Sequence, residues 1–170
     1  MGTTNDMERF CAAAYPQLVG ALGHHFGDPV LAEDLAQDAL VRACDRWETV
    51  GDLESPVGWA YRVGVNLGNS WFRRRAAERR ARQRHGPDAD VHRDRDVADR
   101  LAVAEALQQL TRQQREAIVL RHFLGLSTHE TAEALGSTPG AVRGLTHRAS
   151  GVLRDLLDVT VDSEETSDVS

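Results

Sequence analysis

The chain has 170 residues, of which 41% are hydrophobic and 5% aromatic, enough apolar content for one medium domain or two small ones. Its net charge is −6, and all 20 of its basic residues are arginine. No apolar run approaches the roughly 18 residues that cross a bilayer, and the N-terminus has no signal-peptide pattern. We therefore expect a cytoplasmic protein without membrane insertion.

The charge is divided among separate segments of the chain. Residues 71–84 hold seven arginines and one glutamate, a net charge of +6. Residues 28–54 hold eight acidic residues and two arginines, a net charge of −6, and residues 155–170 hold six acidic residues alone. A basic stretch that is set apart in this way is more informative about nucleic acid binding than the total charge.

The spacing of apolar residues predicts helices along the whole chain, and no segment alternates for long enough to indicate a strand. Asp28 and Pro29 can begin a helix that buries Leu31 and Leu35 and exposes an acidic face. A Gly-Pro break with mixed charge then predicts a linker that divides the chain into two domains. The helices are predicted over 7–26, 28–45, 57–84, 97–110 and 111–124, with a loop at 51–56. The predicted domains are 1–85 and 97–158, with a linker at 86–96 and a disordered acidic tail at 159–170.

The residue types that carry catalysis or hold metals are not grouped in this sequence. Cys11 and Cys44 have no CxxC pattern and no histidines at ligand spacing, so buried free thiols are expected, with a zinc site or a disulfide as the alternative. His24 and His25 are adjacent on a helix and cannot face one metal ion, so they are expected at the surface or at an interface. Ser150 lacks a neighbouring base, and no Gly-rich phosphate loop occurs. We expect no metal, no cofactor and no catalytic site.

Residues 126–149, LSTHETAEALGSTPGAVRGLTHRA, predict a helix-turn-helix unit. Ser127 and Glu130 have capping-box spacing, Gly136 is placed to end the first helix, and Thr138 can begin the second. Such a unit places its second helix in the DNA major groove. On these residues alone, a helical hairpin with a solvated basic face is the alternative interpretation.

Two further motifs lie upstream: AEDLAQDALVRACDRW at 32–47 and SPVGWAYRVGVNLGNSWFRRR at 55–75. Together with the third motif, and LTRQQREAIVLRHFLGLS before it, they resemble a sigma factor of the extracytoplasmic-function group. The resemblance extends over roughly residues 15–157. It implies an all-α fold of two small helical domains joined by a flexible linker. It also implies promoter-specific transcription initiation, with core RNA polymerase and promoter DNA as partners.

The motif at 32–47 resembles the family segment that docks on the clamp helices of RNA polymerase. A helix that exposes acidic and amide side chains beside an apolar anchor would match a basic coiled coil. A solvated acidic face is the alternative. The candidate docking residues are Asp34, Leu35, Gln37 and Asp38.

The motif at 55–75 is similar to the family segment that melts and reads the −10 promoter element. Amides can read the edge of an unpaired base and arginines can hold phosphates. Trp59 and Tyr61 are expected in the core, and the family commonly has aspartate where Ser70 stands. Asn66 is the strongest candidate for a base contact. The candidate −10 residues are Arg62, Asn66, Asn69, Ser70, Arg73 and Arg74.

The helix-turn-helix resembles the family's −35-binding unit, whose donor-rich second helix contacts base edges and phosphates. The candidate −35 residues are Thr138, Gly140, Arg143, Thr146, His147 and Arg148. The family commonly has arginine where Leu145 stands and leucine where Thr146 stands. These departures leave the −35 base preference open.

Three other functions compete with the sigma factor interpretation. A dimeric helix-turn-helix repressor explains residues 126–149 but gives no reason for the acidic helix or the Asn-rich segment. A sigma-like decoy that occupies polymerase or an inhibitor without initiating is a second alternative, and an enzyme is the weakest. The resemblance also allows for an anti-sigma partner, without identifying one.

Overall fold

A computed structural model describes the backbone of residues 4–82 and 98–165 and the side chains of residues 5–81 and 102–157. These ranges are helical and contain no strand, as the sequence predicts. The predicted linker at 86–96 lies outside the described residues. The helices are α1 (Thr4–Phe26), α2 (Pro29–Asp45), α3 (Trp47–Val50), α4 (Pro56–Arg82), α5 (Ala98–Gln108), α6 (Arg112–Ile118), α7 (Thr128–Leu135) and α8 (Pro139–Glu165).

Helices α1, α2 and α4 form the N-terminal bundle. Asp28 caps α2 as predicted, because its Oδ1 accepts a hydrogen bond of 3.0 Å from the Leu31 amide. Gly68 allows α4 to lie close against the other two helices, since a methyl group there would be 2.3 Å from Cζ of Phe26. The central core of the bundle includes Leu18, Leu22, Leu35, Tyr61 and Val65.

Helices α5, α6 and α8 form a second bundle, with a core of Leu107, Leu110, Ile118 and Ala149. Helix α6 ends earlier than predicted and passes into a π-helical turn over Val119–Phe123. There the Leu124 amide donates to the carbonyl of Val119, five residues back, at 3.0 Å. The wider turn carries the chain from α6 toward α7.

The helix-turn-helix is confirmed at its caps. Ser127 Oγ accepts from the Glu130 amide at 3.1 Å, and Glu130 Oε2 accepts from the Ser127 amide at 2.7 Å. Gly136 ends α7 in the left-handed region at φ 59°, and Pro139 begins α8. Helix α8 continues to Glu165, beyond the predicted start of the tail at 159, because residues 159–165 contain no Gly or Pro to end it.

The two bundles share apolar packing. Val119, Leu120 and Leu126 from the C-terminal half are buried in the same cluster as Leu22 and Tyr61 of the N-terminal half. No helix in the described ranges has the length and apolar content to cross a membrane.

His25 is predicted at the surface or at an interface; its side chain is not at the surface, although its carbonyl lies at the contact with the C-terminal half. The residue is 2% exposed, and its Nδ1 shares a hydrogen bond of 2.8 Å with the hydroxyl of Tyr61. Cys11 and Cys44 are free thiols as predicted, although both are only half-buried. They are far apart in sequence but face each other from α1 and α2, with 3.3 Å between the sulfurs.

Candidate nucleic-acid interface

The acidic face of α2 lies in solvent. Asp34, Gln37 and Asp38 are exposed and line a groove of about 310 Å³ between α2 and α4. Leu35 is 4% exposed and packs into the bundle core, as its position on the apolar stripe of α2 predicts, so its side chain is not accessible as the apolar anchor of the docking motif. Val41, which is not among the predicted docking residues, is 59% exposed one turn beyond Asp38.

The predicted −10 residues follow one another along α4 but differ in their surroundings. Asn66 is exposed, whereas the side-chain Nδ2 of Asn69 is buried and has no hydrogen-bond partner among the described residues. Ser70 donates from Oγ to the Asn66 carbonyl at 2.9 Å and accepts from Arg73 at 3.0 Å. Ser70 thus fixes the guanidinium of Arg73 on the same face of the helix as Asn66.

Two other predicted −10 arginines are placed elsewhere. Arg74 is exposed and lines the α2–α4 groove beside the acidic face. Arg62 lies one turn before Asn66 and donates from Nη1 to Glu116 Oε2 at 2.6 Å. Hydrogen bonds therefore connect Asn66, Ser70 and Arg73, whereas the Arg62 guanidinium bonds to the C-terminal half.

The aromatic residues of α4 divide into core and surface, as predicted for Tyr61 and Trp59. Tyr61 is fully buried and Trp59 packs against the same cluster. Burial, then the nearby charge of Glu116, raises the pKa of Tyr61 well above its ordinary value. Trp71 lies under the Arg75 guanidinium at 4.9 Å, and Phe72 beside it is 37% exposed. The half-buried Trp71 and the exposed Phe72 therefore adjoin the arginine-rich half of α4.

The start of α8 presents most of the predicted −35 residues to solvent. Thr138 caps the helix, with its Oγ1 accepting from the Ala141 amide at 3.2 Å. Arg143 and His147 are exposed on one face. The hydroxyl of Thr146 is shared between two backbone carbonyls of its own helix, that of Val142 at 3.0 Å and that of Arg143 at 3.1 Å. Unlike the exposed His147 and Arg148, Thr146 is half-buried.

A cleft of about 530 Å³ is lined mainly by α6 and the start of α8, and Arg62 of α4 also lines it. Gly140, Leu145 and Arg148 line it from one side, and Arg62 lines it from the other. Glu116, 4% exposed at its side chain, accepts from Arg62 and from Arg112 Nε at 2.8 Å in this cleft. Sequence reasoning missed Glu116, because its surroundings in the sequence are those of a surface helix.

A second polar joint connects α1 to the C-terminal half. The carbonyl of His25 accepts from Gln108 Nε2 at 2.9 Å and from Arg115 Nη1 at 3.1 Å. Arg115 also donates to the carbonyls of Leu107 at 2.8 Å, Gln108 at 3.1 Å and Leu110 at 3.2 Å. One guanidinium thus connects the end of α1 to the turn between α5 and α6.

The two halves also meet at an exposed contact, where His129 Nδ1 lies 3.1 Å from Glu54 Oε2. Glu133 lies one turn beyond His129, and ligand atoms of these three residues are within 4.8 Å of one another. No sequence pattern predicts this grouping, because Glu54 belongs to the other domain.

Comparison with protein families matches both halves of the chain. The family model of sigma-70 region 2 matches residues 11–78, and that of sigma-70 region 4 matches residues 100–150. A Streptomyces avermitilis protein named RNA polymerase sigma-E factor is 35% identical over 158 residues, covering 92% of this chain and 88% of its own. The Mycobacterium tuberculosis ECF RNA polymerase sigma factor SigL is 33% identical over 135 residues, 75% of each chain.

Two solved structures have a similar fold. The sigma factor RpoE from Bartonella quintana, in complex with the anti-sigma factor NepR, has a TM-score of 0.74 at 25% identity, covering 92% of this chain and 99% of that one. CnrH, in complex with the cytosolic domain of CnrY, has a TM-score of 0.65 at 28% identity, covering 93% of this chain and 91% of that one.

Proposed function

Since the chain belongs to the extracytoplasmic-function group of the sigma-70 family, and is thus an RNA polymerase sigma factor, we propose a role for each of its candidate surfaces. The observation that carries the proposal is that region 2 and region 4 patterns both occur in one chain, in order. A repressor that acts without polymerase would account for the second pattern only. We assign residues 1–85 to polymerase docking and the −10 element, 97–158 to the −35 element, 86–96 to the linker and 159–170 to an acidic tail.

The acidic face of α2 docks on the clamp helices of core polymerase. The exposed carboxylates of Asp34 and Asp38, with the amide of Gln37, support this because they give a basic partner a row of acceptors. Val41, which is exposed, supplies the apolar contact for which the docking motif offers Leu35. Leu35 contributes by holding α2 in place from below.

The middle of α4 captures an unpaired base of the −10 element. Asn66 reads the base edge, and Arg73, oriented by Ser70, holds a neighbouring phosphate. The serine that replaces the family's aspartate thereby orients an arginine without adding negative charge near DNA. Asn69 is half-buried beside them and supports this face.

The start of α8 enters the major groove at the −35 element. Arg143 and His147 contact base edges or phosphates from their exposed positions, with Arg148 beside them. The −10 surface of α4 and the −35 surface of α8 each bind weakly. They gain specificity when polymerase holds them at a fixed spacing, because the second contact with the promoter becomes intramolecular.

The protein acts in the cytoplasm with core polymerase, which supplies the chemistry of RNA synthesis, and needs no catalytic site of its own. An anti-sigma factor is a further partner. The anti-sigma complex of the similar RpoE supports this, since the RpoE fold extends over most of this chain.

Transcription of a genomic library with core polymerase from the encoding organism tests the proposal. Promoter-dependent transcripts are expected, whereas association with core polymerase without transcripts would identify a decoy. No association at all would contradict docking through α2.

The variant Asn66→Ala tests the −10 assignment at one residue. Promoter opening should fall roughly tenfold, in line with a base contact of about 1–3 kcal/mol, while affinity for core polymerase is unchanged. Asn5→Ala, an exposed asparagine on α1, is the matched control and should behave as wild type. Unchanged opening by Asn66→Ala would remove Asn66 from the −10 site.

A further inference from the structure

The two cysteines of the chain form a thiol pair between α1 and α2. Their sulfurs share a hydrogen bond at 3.3 Å, although Cys11 and Cys44 are 33 positions apart in the sequence. The sequence contains no other cysteine, so each thiol has one possible disulfide partner within the chain. A disulfide bond is about 2.0 Å long, so the sulfurs need to approach each other by only about 1.3 Å.

Packing beside both cysteines holds the thiols in this position. Phe10, the residue before Cys11, lies against Trp47 with 5.0 Å between the ring centroids. Cys11 itself packs against the core of the N-terminal bundle, and Ala43, the residue before Cys44, is fully buried in α2. The two helices therefore present the sulfurs to each other as part of the folded bundle.

Both thiols are within reach of a small oxidant. Each is half-buried, and the neighbouring Ala12 and Asp45 are exposed. Disulfides are rare in the cytoplasm, and those that form there are usually transient and redox-sensing. The dithiol is therefore the resting form, and an oxidant such as hydrogen peroxide is needed to convert it.

We infer that Cys11 and Cys44 are an oxidation site, at which hydrogen peroxide forms a disulfide that joins α1 to α2. In the first step, one sulfur attacks an oxygen of the peroxide, the O–O bond breaks, and a sulfenic acid and one water are formed. In the second step, the other sulfur attacks the sulfenic sulfur, the S–O bond breaks, and a second water leaves. In total the two thiols lose two hydrogen atoms with their electrons, and one peroxide is reduced to two waters.

The geometry of the pair favours the reversible product over the irreversible one. A sulfenic acid that has no thiol beside it is oxidised further to sulfinic acid, which reductants do not restore. Here the second thiol is 3.3 Å away, so the disulfide forms before another peroxide arrives. Burial, then the neighbouring thiol, raises the pKa of Cys11 to about 11, so the first step is slow and the second follows quickly.

The position of the cross-link relative to the docking residues predicts its effect. Cys44 faces α1, whereas Asp34, Gln37 and Asp38 line the groove between α2 and α4. The disulfide therefore encloses the segment that carries the docking residues without covering them. It should stabilise the bundle, because a cross-link restricts the unfolded chain, and it should leave polymerase docking intact. The part on docking rests on the proposed function, whereas formation of the disulfide does not.

Peptide mass spectrometry of the full chain, after treatment with hydrogen peroxide, tests whether the disulfide forms. Trypsin cleaves after Arg9, Arg42 and Arg46, so a digest without reductant should contain residues 10–42 linked to residues 43–46. Dithiothreitol should separate the two peptides. Sulfinic acid on either cysteine without linked peptides, or a covalent dimer on a non-reducing gel in place of the linked monomer, would overturn the inference.

A displaced thiol is the matched control. Cys11→Ser with Gly20→Cys keeps two cysteines and the same tryptic peptides, but moves one thiol along α1 to an exposed position with no atom within 4 Å of a Cβ. The move is about 14 Å along the helix, too far from Cys44 for a disulfide, so no linked peptides are expected. Linkage in this variant at the wild-type yield would mean that unfolded chains are being oxidised, and would contradict an oxidation site built by the fold.

Urea unfolding measures what the cross-link does to the bundle. The oxidised wild type should unfold at a urea midpoint about 1 M or more above that of the reduced wild type. Dithiothreitol should reverse the rise. Cys11→Ser with Cys44→Ser should show no rise with peroxide, which controls for oxidation of the methionines. An unchanged or lower midpoint of the cross-linked wild type would show that the disulfide does not stabilise the bundle.

Binding to core polymerase tests the effect on docking. Oxidised and reduced wild type should bind with the same affinity. A loss of affinity on oxidation that dithiothreitol reverses, and that the double serine variant does not show, would contradict a cross-link that spares the docking face. If the reduced wild type does not bind core polymerase, the proposed function has failed, and the linked peptides and the urea midpoints alone decide the inference.

Discussion

Acidification from pH 7 to pH 5 should destabilise the folded chain through His25. Burial, then the positive charges of Arg115, Arg112 and Arg62, lowers the pKa of this ring from 6.5 to about 3. The unfolded chain takes up a proton as the pH falls through 6.5, whereas the folded chain keeps this ring neutral until the pH nears 3. The stability it contributes is therefore complete above pH 6.5 and is lost progressively below. At 1.36 kcal/mol per pKa unit, the free energy of unfolding should fall by about 2 kcal/mol between pH 7 and pH 5.

Urea unfolding followed by helical circular dichroism at pH 7, 6 and 5 measures this loss. His25→Gln removes the titrating group, so its free energy of unfolding should depend less on pH than that of wild type, by about 2 kcal/mol over the range. Its absolute stability will be lower, because a buried side chain is replaced, but only the pH dependence is compared. His147→Gln, an exposed histidine on α8, is the control.

The reasoning is refuted if His25→Gln and wild type lose the same free energy of unfolding between pH 7 and pH 5. Such a result would mean that the ring is protonated in the folded chain as readily as in the unfolded one. It would also contradict the burial of the His25 side chain where α1 packs against α4.

Three further predictions concern single positions. Gly68→Ala should cost about 1–3 kcal/mol of stability by overpacking, because the new methyl group meets the ring of Phe26. Gly20→Ala, where no atom lies within 4 Å, should not destabilise the chain, and equal urea midpoints for the two variants would contradict this. Gly136→Ala should cost about 1–2 kcal/mol, because alanine disfavours a φ of 59°, and an unchanged melting temperature would show that the turn rearranges. Burial, then the neighbouring Cys44 thiol, raises the pKa of Cys11 to about 11. Iodoacetamide at pH 7.5 should therefore alkylate Cys11 at least tenfold more slowly than free cysteine, as measured by peptide mass spectrometry. An equal rate of alkylation would refute this.

The local features of the fold could be predicted from the sequence because a few neighbouring residues determine them. Ser127 and Glu130 satisfy backbone donors within their own turn, and Gly136 takes a φ that disfavours other residues. Asp28 and Pro29 begin α2 for equally local reasons. The exposed candidates on α2 and α8 follow from the same helical periodicity.

The features that depend on distant contacts could not be predicted in this way. Glu116 resembles a surface residue until α4 places Arg62 beside it, 54 positions away in the chain. His25 is buried because Tyr61, 36 positions away, bonds to its ring. Leu35, by contrast, is buried as the apolar stripe of α2 predicts. Periodicity therefore fails where a contact with another helix, rather than a residue's own helix, determines its burial.

The joint made by Arg115 has a consequence for how this protein can change over evolution. Its guanidinium donates to the carbonyls of His25, Leu107, Gln108 and Leu110, and every amino acid supplies a carbonyl. The hydrogen bonds of Arg115 to these four positions therefore do not depend on the side chains there, provided that the backbone keeps its course, although Gln108 and His25 also make side-chain hydrogen bonds of their own. The arginine itself has no such freedom, since no other side chain offers five donors in a planar fork. Loss of this one arginine would therefore remove four hydrogen bonds at once, whereas a change at any one acceptor leaves the bonds of Arg115 in place.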